Sequence, residues 1–232
     1  MRWTAIPKPC VVGTISRAVT LAKFHMPPEP VCHAVEVRLD KMLADASDWV
    51  VQTKAIEAQG LPVIVTVRLA SEGGEWRRPD AERWGYFATA LEHVAAVDVE
   101  LQSRLVSQVA ASARRLDKTV IVSAHDFVKT PSASALRDLI LEALPHATIV
   151  KIATLTKTPQ DIAVLRELVQ QDWGRPLAVM GMGPLAAQSR RELLQAGSAL
   201  AYGWLDSPAA PGQPSAAELM QIVSELSPAP RR

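Results

Sequence analysis

The sequence predicts a single α/β domain over residues 1–232, folded as a (β/α)8 barrel, also called a TIM barrel. Eight short runs rich in β-branched residues alternate with longer segments whose apolar residues are spaced three and four apart. Alternating strands and helices imply a parallel sheet, and eight such units in 232 residues match a closed barrel. An open doubly wound sheet is the alternative. No Gly-x-Gly-x-x-Gly motif follows the first strand, and the even spacing favours closure.

The predicted strands follow one another at regular intervals along the chain. They are 10–16, 33–40, 61–68, 95–101, 118–125, 147–153, 176–182 and 197–203. The helical pattern between them is clearest at 134–144, 159–171 and 184–197, and a last helix is predicted at 215–226. We expect the tail at 227–232 to be disordered.

The composition is typical of a soluble globular protein. Hydrophobic residues make up 48% of the chain, charged residues 21%, and the formal net charge is +1. Near-neutral charge gives no reason to expect nucleic acid or an anionic membrane as a partner. No apolar run approaches the roughly 18 residues of a membrane span, and the first residues lack the apolar core of a secretory signal. We therefore expect a cytoplasmic protein.

The cysteines and histidines show no metal-binding spacing. Cys10 and Cys32 lie far apart in or near apolar stretches, which favours two buried free thiols over a disulfide or a metal site. The five histidines form no His-x-x-x-His or His-x-His pair, so the sequence predicts no metal site.

Charged residues interrupt strands that should be apolar on both faces. In a (β/α)8 barrel the helices cover one face of each strand and the interior covers the other. Residues of the second strand alternate strictly, and side-chain alternation places Glu36, Arg38 and Asp40 on one face. Asp98 and Glu100 repeat the pattern in the fourth strand. The polar faces are therefore expected to point into the barrel.

The third and sixth strands add further polar groups. Thr66 and Arg68 share a face, and Lys151 interrupts an otherwise apolar strand. Burying an unpaired charge costs several kcal/mol, so these groups must pair with one another or with a ligand. A purely structural ion-pair network is one interpretation. Because the inward charges lie towards the carboxyl ends of the strands, where barrel enzymes keep their sites, we interpret them as a functional site.

Lys151 and His125 are the candidate reactive groups of this site. Burial between apolar neighbours, together with nearby cations, favours a neutral Lys151 amine, which can attack a carbonyl and form a Schiff base. His125 ends the preceding strand, and neighbouring parallel strands lie about 4.8 Å apart, so both side chains should open onto one cavity. An imidazole there can remove a proton next to the imine. The ordinary alternatives are a solvated lysine at a strand end and a hydrogen-bonded core histidine.

Three arginines indicate the charge of the substrate. Arg38, Arg68 and Arg190 add fixed positive charge, and guanidinium groups suit carboxylates and vicinal hydroxyls. The sequence therefore predicts a small, polyhydroxylated, anionic carbonyl compound as substrate.

With these residues in place, the chain resembles the type I 3-dehydroquinate dehydratases, which are Schiff-base enzymes of the shikimate pathway. The resemblance runs in order from "VVGTIS" to "APGQPS" over almost the whole chain. Between them lie "EVRLD", "TVRLASEGGE", "VDVEL", "SAHDFVKTP", "KIA" and "MGMGPLAAQSR". Each segment is weak alone, but together and in register on one barrel they are specific.

The resemblance implies roles for individual positions. Lys151 would form the Schiff base, His125 would take the C2 proton and return one to the departing C1 hydroxyl, and Glu72 would hold His125. The implied substrate-binding residues are Glu36, Arg38 and Arg68 at the ring hydroxyls, Met182 on the ring, Arg190 at the carboxylate and Gln213 in a lid. The implied product is 3-dehydroshikimate, with neither a metal nor a nucleotide cofactor, and a homodimer is expected.

Two other functions stay open at this point. A sugar-phosphate aldolase could use the segment 181–190 to cradle a phosphate, although the next loop is rich in proline and offers no second phosphate site. A non-catalytic paralogue could bind a related cyclic acid. Retention of Glu72, His125 and Lys151 together argues against that, because a binder needs no amine nucleophile.

The lid after the eighth strand departs from the family pattern. This segment usually reads Ser-Ala-Pro-Gly-Gln, and Ala209 stands in the place of the serine. We predict that Ala209→Ser raises kcat/KM for 3-dehydroquinate severalfold, within the ~10–100-fold that ~1.5–3 kcal/mol allows. Gln213→Ala should lower it. Steady-state kinetics would check both, and an unchanged Ala209→Ser beside a crippled Gln213→Ala would show that the loop uses another group, first of all Ser207.

Overall fold

Eight parallel strands alternate with helices in the computed structural model, which describes residues 9–208 and 212–226. Ala209 and the tail at 227–232 lie outside the described residues. The strands are β1 (Cys10–Ile15), β2 (Ala34–Arg38), β3 (Val63–Thr66), β4 (Ala96–Glu100), β5 (Thr119–Asp126), β6 (Ile149–Leu155), β7 (Leu177–Met182) and β8 (Leu200–Trp204). The helices are α1 (Ala18–Lys23), α2 (Trp49–Ala58), α3 (Asp80–Leu91), α4 (Val106–Arg115), α5 (Ala133–Ala143), α6 (Pro159–Val169), α7 (Ala186–Ala196) and α8 (Ala216–Leu226).

The eight strands close into a barrel, because the two ends of the strand order, β7 and β8, lie side by side. Neighbouring strands follow the order β7-β6-β5-β4-β3-β2-β1-β8, and every pair is parallel. Between β7 and β8 the Ala199 N–H donates to the Leu177 carbonyl at 2.8 Å, which joins the two ends of the sheet. The predicted (β/α)8 barrel is confirmed, and the open doubly wound sheet is excluded.

Apolar side chains fill the lower part of the barrel interior. They form one cluster of buried residues, which includes Ala34, Ile64, Ala96, Ile121 and Ile149. A second apolar core lies between the strands and the helices. Polar side chains therefore reach the interior only further along the strands, towards their carboxyl ends.

Two strands end two residues earlier than their sequence pattern predicts. The second ends at Arg38, and Leu39–Lys41 form a 3-10 turn. Arg38 and Asp40 form a two-bond ion pair at 3.0 and 2.8 Å across this turn, so the predicted strand position of Asp40 is wrong. The third strand ends at Thr66, and its neighbour Arg68 follows in the loop that leads to a 3-10 turn at Ala70–Glu72.

One further local prediction agrees with the structure. Cys10 and Cys32 are buried free thiols, as expected. Within residues 9–208 and 212–226, none of the helices combines the length and the apolar character that a membrane crossing requires. Helix α6 begins with a capping box, in which Thr158 accepts from the Asp161 N–H and Asp161 accepts from the Thr158 N–H.

Gly203 and Gly85 provide a matched test of how tightly the helices pack against the barrel. A Cβ on Gly203 in β8 would lie 2.5 Å from the backbone nitrogen of Ala216, whereas a Cβ on Gly85 in α3 would have nothing within 4 Å. We predict that Gly203→Ala lowers the free energy of unfolding by ~1–3 kcal/mol, because α8 must move away from the strand. Gly85→Ala should raise it by roughly 0.5–1 kcal/mol through helix propensity. Urea unfolding of both variants would check this, and equal effects would contradict it.

Candidate active site

A cavity opens at the carboxyl ends of the strands. All nine residues to which the family resemblance gives a role line this cavity, although their roles stay predictions, whereas Asp40, Thr66, Asp98 and Glu100 of the predicted inward polar set do not. The nine are Glu36, Arg38, Arg68, Glu72, His125, Lys151, Met182, Arg190 and Gln213.

Lys151 lies at the bottom of the cavity, on strand β6, and is only 5% exposed. Its Nζ donates to Asp98 Oδ2 at 2.9 Å and lies 3.8 Å from Glu36 Oε1. The amine also lies 3.9 Å from the ring centroid of Tyr202, over the aromatic face. The charged groups nearest the amine are therefore carboxylates, not the cations that the sequence led us to expect.

His125 and Glu72 form a hydrogen-bonded pair beside the lysine. Strand β5 carries His125, and its Nδ1 lies 2.9 Å from Oε2 of Glu72, at the end of the 3-10 turn after β3. Burial raises the pKa of Glu72 to about 7. Burial, together with the cations Arg68 and Lys151, lowers the pKa of His125 well below its usual value. Above neutral pH an ionised Glu72 accepts the Nδ1 proton, which leaves the Nε2 lone pair of a neutral imidazole free to act as a base.

Arg68 connects the carboxylates of strand β4. Its guanidinium donates to Asp98 at 2.7 Å and to Ser123 at 2.7 Å, and lies 3.0 Å from Glu100. Burial alone would raise the pKa of Asp98, but Arg68 and Lys151 hold it well below its usual range. Asp98 is therefore a fixed negative charge between two cations.

Glu36 is held by two threonines. Thr14 donates to Oε2 at 2.9 Å and Thr66 donates to Oε1 at 2.8 Å. The sequence left the end of the first strand without a contact, and the structure places the Thr14 hydroxyl at the cavity wall. Strand alternation makes this possible, because Thr14 and Glu36 are register partners of neighbouring strands.

The two remaining arginines differ in their partners. Arg38 forms an ion pair with Asp40, and the Asp40 carboxylate also accepts from the Glu75 N–H at 3.1 Å. Arg190 on helix α7 donates only to backbone oxygens, those of Gly181 at 2.9 Å and Ala186 at 3.3 Å. Among the described residues no carboxylate pairs with Arg190, and its buried Nε has no partner. Burial lowers the pKa of Arg190 to about 10, which leaves it charged and suited to an anionic ligand.

Met182 and Gln213 complete the walls of the cavity. Met182, at the end of β7, is 3% exposed and lies near Met180 in the apolar lining. Gln213 follows the undescribed part of the β8–α8 loop and donates its Nε2 to the Tyr202 carbonyl at 3.3 Å. The cavity therefore has an apolar side formed by Met180 and Met182, and the amide of Gln213 lies in its wall.

The sequence missed several side chains that organise the site. Arg83, on helix α3, is fully buried, pairs with Glu100 and donates to the Val67 carbonyl at 2.8 Å. A charged residue on an amphipathic helix ordinarily faces water, so no sequence signal marks it. Tyr202 was noted only as part of strand β8, and nothing indicated that its ring would meet the amine of Lys151.

The fold is that of (β/α)8-barrel enzymes, and the cavity lies at the carboxyl ends of the strands, where such enzymes keep their active sites. Within that class, residues 16–229 match the family model described as type I 3-dehydroquinase. The chain belongs to this family. Membership argues against the sugar-phosphate aldolase.

Individual relatives agree with the family model. A 3-dehydroquinate dehydratase from Methanocella arvoryzae is 33% identical over 187 residues, which cover 81% of this chain and 84% of the relative. A type I 3-dehydroquinate dehydratase from Clostridium difficile, solved with covalently modified comenic acid, has a TM-score of 0.80 at 25% identity, covering 94% of this chain and 92% of its own. A 3-dehydroquinate dehydratase from Geobacillus kaustophilus, with a TM-score of 0.81 at 23% identity and coverage of 97% and 93%, supports the fold.

The buried carboxyl of Glu72 provides a test that combines stability with pH. Its pKa in the folded protein is about 7, above the ordinary 4.5, so its contribution to stability is full below pH 4.5 and is lost as the pH rises through 7. We predict that Glu72→Gln removes this loss. The variant should melt a few degrees above the unsubstituted protein at pH 8.5 and within about a degree of it at pH 5. A lower melting temperature at pH 8.5 would show that the bond to His125 outweighs the cost of burial.

Proposed function

We propose that the protein is a 3-dehydroquinate dehydratase, a hydro-lyase that converts 3-dehydroquinate into 3-dehydroshikimate through a Schiff base on Lys151. One observation carries the proposal. His125, bonded to Glu72 at 2.9 Å, lines the same cavity as the buried amine of Lys151. A nucleophile and an oriented base around one cavity are the groups that this dehydration requires.

The lysine acts first in this mechanism. The Lys151 ammonium passes one proton to the ketone oxygen, and the freed amine attacks the ketone carbon. That oxygen then takes a second proton from the nitrogen and leaves as water, which produces a cationic iminium. Asp98, 2.9 Å from the amine, then faces the positive nitrogen and stabilises it. The iminium withdraws electrons from the neighbouring carbon and makes its proton acidic.

The histidine acts next. Nε2 of His125 takes the C2 proton, and the ionised Glu72 stabilises the imidazolium that forms. The resulting enamine expels the C1 hydroxyl, which leaves as water with the proton that His125 returns. Hydrolysis of the imine consumes one water and frees Lys151 and the enone, so the overall reaction loses one water.

The other residues of the cavity bind the substrate in this proposal. Arg190 takes the carboxylate, because its buried charge has no carboxylate partner among the described residues. Glu36, Arg38 and Arg68 contact the ring hydroxyls. Met182 packs against the ring, and Gln213 closes the cavity as part of the lid.

We also infer that the protein works in the cytoplasm as a homodimer. The buried free thiols of Cys10 and Cys32 suit a reducing compartment. The dimer rests on the family resemblance alone. Size-exclusion chromatography with light scattering tests it, and a mass near the 25.1 kDa of one chain would exclude it.

A direct test follows the amine and the product together. With 3-dehydroquinate we predict a rise in the ultraviolet absorbance of the conjugated enone, and borohydride should attach the mass of the C7 acid to a peptide that contains Lys151. Lys151→Met should abolish both signals, whereas Lys157→Ala, in the exposed loop after β6, should keep them. Label on another lysine would exclude this mechanism. Binding without absorbance or label would favour the non-catalytic paralogue, to which the lid residue Ala209 points.

A further inference from the structure

Phe127 is a large aromatic residue in an unusual place, at the mouth of the catalytic cavity. Its side chain lines the cavity, yet the residue is 41% exposed. An aromatic ring left partly in water contributes less to stability than one in a core. The ring stands at 14° to the imidazole of His125, with the centroids 6.2 Å apart, which is an offset stacking arrangement.

The loop after β5 fixes the direction of this ring. The carboxylate of Asp126 accepts from the N–H groups of Val128 at 2.8 Å and Lys129 at 3.0 Å, which closes a tight turn around Phe127. Thr130 donates to the Leu155 carbonyl at 3.1 Å and ties the loop to strand β6. The ring is therefore held across the cavity mouth by a turn that its neighbours build.

The opposite side of the ring rests on the loop that carries Glu72. Gly73 follows Glu72 with a φ of 78°, and a Cβ built on it would lie 2.4 Å from Cζ of Phe127. No side chain larger than hydrogen fits there while the ring keeps its place. Phe127 thus touches the loop of the glutamate on one side and stacks against the histidine on the other.

The charge of Glu72 works against this arrangement. Burial raises its pKa to about 7, so the ionised carboxylate would gain by turning outwards into water. A hydrogen bond of 2.9 Å to His125 opposes that movement. The Phe127 ring, which stacks on the imidazole and lies against the loop at Gly73, limits the access of water to this pair.

We propose that Phe127 is a positioning residue, which keeps Glu72 against His125 by filling the space between Gly73 and the imidazole. This positioning role rests on the proposed function, in which His125 is the base. It also assigns a task to each of three consecutive residues. His125 supplies the base, Asp126 builds the turn, and Phe127 closes over the pair.

The test combines kinetics with the titration of one histidine. In Phe127→Ala, water reaches the pair, and we expect kcat to fall ~10-fold or more with KM changed by less than about twofold, because a displaced base affects the chemical step. The His125 imidazole, followed by NMR and assigned with His125→Asn, should titrate closer to 6.5 than in the unsubstituted protein, since burial lowers its pKa there.

Two control variants separate positioning from packing. Phe127→Tyr keeps the ring and should keep both kcat and the His125 titration. Val128→Ala changes the adjacent residue, which is 71% exposed and outside the cavity lining, and should leave both readouts unchanged.

The outcomes are distinct. An unchanged His125 titration in Phe127→Ala would overturn the proposal whatever the activity. An increase in KM alone would also overturn it, because the ring would then be a substrate contact. If the unsubstituted protein has no dehydratase activity but the titration still moves in Phe127→Ala and not in Phe127→Tyr, the positioning role stands and the proposed function fails.

Discussion

The ion pair between Lys151 and Asp98 is the interaction on which the barrel interior depends. A lone buried ammonium would cost several kcal/mol, and so would a lone buried carboxylate. The structure resolves this with a chain of alternating charges that runs from helix α3 to the cavity. Its members in order are Arg83, Glu100, Arg68, Asp98, Lys151 and Glu36. Three cations meet three carboxylates, so the chain is neutral before a substrate arrives, and removing any one member leaves the chain with an uncompensated buried charge.

Arg190 lies outside this neutral chain of charges. The six-membered chain is neutral and Arg38 pairs with Asp40, whereas Arg190 on α7 has no carboxylate partner among the described residues, so an anionic substrate can match its charge. The amino-terminal end of the barrel also carries a group of cations, but two of these are explained without a substrate. A second cavity there is lined by Arg114, Lys118 and Arg175 together with Asp117. Arg114 lies in the last turn of α4 and Lys118 just beyond it, where the helix dipole favours positive charge. The helix accounts for these two charges without a ligand.

The sequence predicted those parts of the site that lie on strands. Alternation has a period of two, so the strand pattern alone assigns Glu36, Asp98 and Lys151 to the interior. The strand boundary at Arg38 could not be predicted, because Asp40 bonds back to the same side chain and closes a turn that propensity does not indicate. The burial of Arg83 could not be predicted either. It depends on Glu100, a residue distant in sequence, and neither the helix nor the strand reveals that contact alone.

The same alternation explains why the adjacent residues His125 and Asp126 have unrelated tasks. Successive side chains of a strand point to opposite faces, so the imidazole enters the cavity and the carboxylate turns towards the loop. Asp126 binds two backbone N–H groups beyond it, which keeps it away from the imidazole's Nδ1, and Glu72 from another loop takes that place. A histidine followed by an aspartate in sequence is therefore not a catalytic pair in this fold. The hydrogen-bonded pair is instead His125, near the end of strand β5, with Glu72 from the loop after β3 at the barrel mouth. At the end of a strand, one residue can face the cavity while the next residue stabilises the loop that follows.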